Sequence, residues 1–148
     1  MPKDTEYLKD ISKIKISFEN KENLENLSFC YNLVNMTNPE TNKLDKYLIF
    51  TSKLQMNLLK KCSQLLIDGT FKSCPRGYYQ IINIAGYYEE INSIIPIFMI
   101  PTTGKSFYLY DSILNDVKKI MKDNQIESNS FPNRVLIDFE IKINFMSI

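Results

Sequence analysis

A chain of 148 residues, 44% hydrophobic and 24% charged, has the length and composition of one globular domain. Its 18 basic and 17 acidic side chains leave a formal charge of +1, which excludes a protein that works through bulk charge but not one with a local nucleic-acid patch. Three cysteines without a CxxC pair, and no histidine, exclude a single-chain structural zinc site and any His-based triad.

Residues 1–43 read as a weakly ordered lead-in or the remnant of another domain. Residues 1–10 are polar and charged, unlike a signal peptide. Residues 13–18 alternate, with Ile14, Ile16 and Phe18 on one face, as in a short strand. Residues 20–42 are dominated by Asn, Glu and Lys, and Asn38-Pro39 marks a turn. The odd cysteine count (Cys30, Cys62, Cys74) argues for reduced thiols and an intracellular protein. The sequons at Asn26 and Asn35 then carry no meaning. The longest apolar run, residues 94–101, is far short of the roughly 20 residues of a membrane helix, so no membrane partner is expected.

From residue 44 to 148 the pattern sharpens into a partial domain. Residues 47–51 form a short run of strand formers. Ser52 and Gln55 have capping-box spacing, and Leu54, Leu58, Cys62 and Leu65 share a helical face, predicting a helix of about three turns. Three strands follow, around residues 65–71, 78–88 and 94–100, as an antiparallel meander. Pro96 cannot donate to a ladder, so the third strand is expected at an edge. The clearest helix spans residues 106–121, with Phe107, Tyr110, Leu114, Val117 and Met121 spaced 3, 4, 3, 4. Residues 133–139 are a fourth buried strand. The helix acts as a crossover, so this strand can run parallel to an earlier one. The expected fold is α/β, a mixed sheet of three antiparallel strands, a crossover helix and a fourth strand parallel to the first.

Leu65-Leu66-Ile67-Asp68 and Val135-Leu136-Ile137-Asp138 are nearly the same tetrapeptide, an apolar strand ending in a carboxylate. On parallel neighbouring strands, about 4.8 Å apart, both carboxylates emerge at one end of the sheet. Carboxylates that close repel unless a cation or a proton lies between them. Hard divalent cations accept few protein oxygens, so the pair fits a two-metal phosphoryl-transfer site. A plainer pair of readings competes. Asp68-Gly69 is a strong turn dipeptide, and Asp138 can cap a following helix. The pattern alone favours turn and cap.

Asp68-Gly69-Thr70-Phe71-Lys72, then Pro75, Tyr78-Tyr79-Gln80 and the strand to Gly86, resemble the start of the Mutator-like element (MULE) transposase domain. The likeness continues through Ile95-Pro96, the helix around Tyr108, Asp138-Phe139-Glu140 and Ile143-Asn144, covering residues 45–148. Its specific part is the combination of the Asp-Gly-Thr-Phe-Lys and Asp-Phe-Glu segments with a helix between them. The resemblance implies an RNase H-like fold and a DDE-type transposase, which cuts and rejoins DNA with three acids and Mg²⁺ (or Mn²⁺). It implies Asp68 as the first catalytic and metal-holding acid and Asp138 as the second. DNA is the implied partner, and the nucleus the implied location of a working transposase. Family members carry the third acid well beyond Asp-Phe-Glu, after a Cys/His-containing stretch. Only eight residues follow Glu140 here, none of them Asp, Glu or His. Glu140 belongs to the motif but is not assigned the third role. The expectation is therefore a C-terminally truncated core, inactive alone, either as a homo-oligomer or with a partner chain supplying the missing part. The competing functions are a domesticated, non-catalytic DNA- or protein-binding module and an unrelated α/β domain whose Asp-Gly is a turn.

Lys72 and Arg76, just past the first Asp, are the residues expected to meet phosphates. A solvated basic loop is the plainer reading, stronger for Arg76 than for the motif residue Lys72. Tyr78, Tyr79, Tyr87 and Tyr88 read as core aromatics rather than stacking platforms. Lys118, Lys119 and Lys122 read as a solvated helix end, and Cys62 and Cys74 as buried small side chains.

Overall fold

The computed structural model describes residues 29–71, 74–126 and 134–137, with side chains from Val34 onward. Within them the chain builds six strands and two helices: β1 (Phe29–Thr37), β2 (Leu44–Ser52), α1 (Lys53–Leu59), β3 (Gln64–Thr70), β4 (Gln80–Tyr88), β5 (Ser93–Thr102), α2 (Phe107–Asp123) and β6 (Arg134–Ile137). The strands form one mixed sheet in the order β1-β2-β5-β4-β3-β6. All neighbouring pairs are antiparallel except β3 and β6, which run parallel. The α/β class and the meander, crossover and parallel return are thus as the sequence predicts. The alternation expected over residues 13–18 lies outside the described residues.

β1 falls inside residues 20–42, the Asn-, Glu- and Lys-rich part of the stretch that reads from the sequence as a weakly ordered lead-in or remnant. It pairs with β2 along its whole length, from Phe29↔Ser52 to Thr37↔Leu44. The connection is the predicted Asn38-Pro39 turn. Its backbone closes through Asn38 N–H to Lys43 O (2.9 Å) and Asn42 N–H to Asn38 O (2.8 Å). Asn42 takes the left-handed conformation, φ 55°, which Asn tolerates better than most residues.

β5 is not an edge strand. It lies between β4 and β2, and Pro96 is accommodated by two local devices. The β4–β5 register slips between Ile84↔Phe98 and Ala85↔Pro96, so Ile97 is the extra residue of a bulge, where a missing N–H is tolerated. On the other side β2 has already turned into α1. The Pro96 and Ile97 carbonyls are met there by side chains, Gln55 Nε2–H (3.0 Å) and Thr51 Oγ1–H (2.8 Å).

α1 starts as predicted, with Ser52 Oγ accepting from Gln55 N–H at 3.2 Å. It is shorter than the expected three turns, because Leu65 belongs to β3. Its buried residues are Met56 and Leu59, whereas Leu54 is exposed. α2 is capped by Ser106 Oγ, which accepts from Leu109 N–H. Its buried face holds Leu109, Tyr110, Ile113, Val117 and Met121. Phe107 and Leu114 are only half-buried, so the face is rotated from the predicted one while keeping the helical period.

Both helices feed one core with Leu65 and Ile67 of β3, Ile82 and Ile84 of β4, and Ile97, Phe98 and Ile100 of β5. The Tyr47 hydroxyl reaches from β2 to α2, donating to Asp116 Oδ2 and lying 2.7 Å from Ser112 Oγ. Burial, reinforced by the Asp116 hydrogen bond, pushes the Tyr47 phenol well above its usual range, so it is a neutral donor. Gly86 on β4 is fixed by close approach. A Cβ there would sit 2.4 Å from Cys62 Sγ, after α1.

Candidate functional site

β3 ends in a carboxylate because its burial alternates. Leu65 and Ile67 face the helices and are buried, whereas Leu66, Asp68 and Thr70 belong to the opposite face. Asp68 is exposed, and its Oδ1 accepts from the Gly69 N–H at 2.8 Å. It is directly paired with Asn83 on β4. The Asn83 side chain leans away from it and donates from Nδ2 to Thr70 Oγ1 at 3.2 Å. That cross-strand bond ties the last turn of the β3–β4 ladder while leaving the Asp68 carboxylate toward solvent.

Asp68-Gly69 does not make the β3–β4 turn, since both residues lie within β3 and pair with Asn83 and Ile82. The reversal comes later. Tyr78 N–H donates to Pro75 O at 3.1 Å, and Gly77 has φ 86°, as the third position of a type II turn requires. Arg76 occupies the second position and is exposed. Lys72, the other residue expected near phosphates, lies outside the described residues.

β6 is the parallel neighbour of β3 in the register Gln64↔Arg134, Leu65↔Val135, Leu66↔Leu136 and Ile67↔Ile137. The two near-identical tetrapeptides are therefore aligned residue for residue through their apolar parts. Asp138, the second expected acid, follows Ile137 in sequence and lies outside the described residues, as does Glu140. The described residues contain no group of three His, Cys, Asp or Glu side chains able to hold a metal ion. An exposed carboxylate such as Asp68 offers the oxygen donors that hard divalent cations take.

A separate cavity of about 260 Å³ lies between α2 and the β3, β4, β5 and β6 strands. Apart from the stem of Lys118, its walls are apolar, including Leu65, Ile67, Val117 and Ile137. It has no convergent polar groups to orient a substrate.

The tyrosines depart from the predicted common role. Tyr78, Tyr87 and Tyr88 are half-buried, but Tyr79 is 40% exposed. Phe71, at the end of β3, is 45% exposed and meets the Tyr79 ring edge-on, with centroids 5.4 Å apart. Lys105 Nζ stands 5.7 Å from the Tyr79 centroid. Nothing in the sequence links Lys105 to the Tyr79 ring. The legible sign is the composition of residues 71–79, which carry two cations and no acid between two aromatic ends. Cys62 is buried as expected, and Cys74 is only half-buried. Burial raises both thiols above their usual range, so neither is an activated thiolate.

Among the described residues no helix is long and apolar enough to cross a membrane. No protein-family model matches the chain, and comparison with curated proteins and with solved structures finds no match.

Proposed function

We propose that this chain carries the first half of an RNase H-like catalytic core of the DDE transposase type, acting on DNA phosphodiesters, with Asp68 and Asp138 as its first two acids. The observation that carries this reading is the parallel, in-register pairing of β3 with β6. The last described pair is Ile67↔Ile137, and in the sequence each of these isoleucines is followed by an aspartate. Strand neighbours lie about 4.8 Å apart, a separation at which two carboxylates need a cation or proton between them. The meander, helix and parallel return that bring β6 beside β3 also match the topology expected from the transposase resemblance.

The donor set fits Mg²⁺ or Mn²⁺, since both groups are carboxylates and these ions take much of their shell from water. Bound there, a divalent cation supplies the Lewis acidity for attack by water or a DNA 3′-hydroxyl. The chain's own residues orient and recognise. The Gly69 N–H fixes one Asp68 oxygen, and the Asn83–Thr70 bond stiffens the ladder beside it. Arg76, exposed in the type II turn, meets phosphate, and Lys72, four residues earlier in the sequence, is its proposed companion. No Asp or Glu follows Glu140 in this sequence, and the third acid of such a site is not assigned.

Mn²⁺ titration by calorimetry on the protein and on its Asp68→Asn and Asp138→Asn variants tests the reading. Weak binding that falls at least about tenfold in each variant, roughly 1.4 kcal/mol, is the expected result. Unchanged affinity in either variant removes the shared site and leaves the non-catalytic binding module.

A further inference from the structure

We infer that the end of β3 beyond Asp68 is a stacking platform for single-stranded DNA, built from the Phe71 and Tyr79 rings with the cation Arg76 between them in sequence. It rests on the proposed DNA reading and names the form of DNA the site takes.

The platform is assembled by strand ends. β3 finishes at Thr70, opposite Ile81 of β4, so Phe71 and Tyr79 sit at the two feet of the β3–β4 connection. Tyr79 N–H donates to Thr102 O at 2.7 Å, which anchors its backbone to the end of β5. Thr102 Oγ1 in turn donates to Gly104 O at 2.9 Å, turning the chain so that Lys105 comes over the Tyr79 ring. Three separate elements thus converge on one ring.

Exposure separates this cluster from core aromatics. Phe71 and Tyr79 leave 45% and 40% of their surface in water, whereas the core tyrosines Tyr47 and Tyr110 leave 0% and 1%. Rings open to solvent, paired edge-on and flanked by cations, are what strand-binding proteins present to bases, whose faces stack on them whatever the sequence. The exposed guanidinium of Arg76 supplies charge for the phosphates between stacked bases.

A second lysine-over-tyrosine pair shows what the platform is not. Lys61 Nζ lies 5.9 Å from the Tyr88 ring at the far end of β4. There Tyr88 donates to Glu90 at 3.0 Å, with Glu89 adjacent, and those carboxylates repel a phosphate backbone. By contrast, residues 71–79 contain no acid.

The test is fluorescence anisotropy of a labelled oligo-dT strand of about twelve nucleotides with the 148-residue protein, in EDTA at low salt. Phe71→Leu and Tyr79→Leu, which keep apolar bulk but lose the ring, are each expected to weaken binding about tenfold. Arg76→Gln should lower the slope of log affinity against log salt by about one. Circular dichroism confirms that each variant folds, and Tyr79→Phe, which keeps the ring, should bind like wild type. Because binding is read in EDTA, without metal, a failed metal titration leaves this platform standing and the reverse also holds. The inference is overturned if the wild type does not bind oligo-dT. It is equally overturned if both Leu variants bind as tightly as wild type, if the matching duplex binds as well, or if only oligo-U is bound.

Discussion

Around Asp116 the fold closes on a carboxylate. Tyr47 comes across from β2, Ser112 joins from one turn away on α2, and the phenol is completely buried. Around Asp68 the fold opens, and the hydrogen bond described there comes from the amide of the next residue. The same side chain is a fastener in one place and an offered ligand in the other. What separates them is the element that supplies the partner. α2 lies against the sheet where Asp116 points, whereas Asp68 stands on the other face, past the last buried residue of β3. A carboxylate whose hydrogen bonds are met from another element contributes to stability. One left to water contributes little and remains able to bind.

The sharpest test of that contrast lies in the packed half. Gly86→Ala would drive a Cβ to 2.4 Å from Cys62 Sγ. Overpacking of this kind costs about 1–3 kcal/mol, and the upper part of that range is expected for so short an approach. Urea unfolding measures it. The Gly86→Ala/Cys62→Ala double variant should recover part of the loss, and simple additivity would show that the strand shifts instead.

Next is Asp116→Ala, expected to lower stability by about 1–3 kcal/mol, because the buried Tyr47 hydroxyl loses its charged acceptor and keeps the weaker Ser112 Oγ. Tyr47→Phe adds a pH signature. A phenol raised in the fold stabilises it fully below its unfolded pKa of about 10. That contribution is lost progressively as pH climbs above about 10, by about 1.4 kcal/mol per unit at most. Wild type should therefore lose stability relative to Tyr47→Phe between pH 10 and 12. Parallel pH profiles would mean that Tyr47 ionises without hindrance.

The smallest expected effect belongs to the open half. Asp68→Asn should change unfolding free energy by no more than about 0.5 kcal/mol, the usual range for an exposed site. A loss above about 1 kcal/mol would mean that Asp68 serves the fold, and that the two carboxylates are alike after all.

Much of the sheet was legible because it is written in short-range signals. Ser52 and Ser106 announce the helix starts, and the matching apolar tetrapeptides announce β3 and β6 as relatives. β1 was not legible, since its alternation is interrupted by asparagines and its stability comes from nine residue pairs with β2, a partner seven residues away across a turn. The placing of β5 failed for a related reason. Pro96 does forbid a ladder hydrogen bond, but whether a strand with that defect lies at an edge depends on whether a bulge and a neighbour's side chains take up its loose groups. Asp68 was legible as a candidate, whereas Lys105, twenty-six residues beyond Tyr79, was not.

The sequence by itself determined the local elements, the helix caps, the α/β class and the repeated apolar-aspartate motif, because each depends on neighbours a few positions apart and on the periods 2 and 3.6. Only the tertiary structure decided which of those elements lie side by side. It paired β3 with β6 in register, enclosed β5, tied Tyr47 to Asp116, and brought Phe71 and Lys105 together at the Tyr79 ring. The reason is physical: strand order and side-chain convergence are set by burying one common core, and the contacts that do so join residues far apart in the chain.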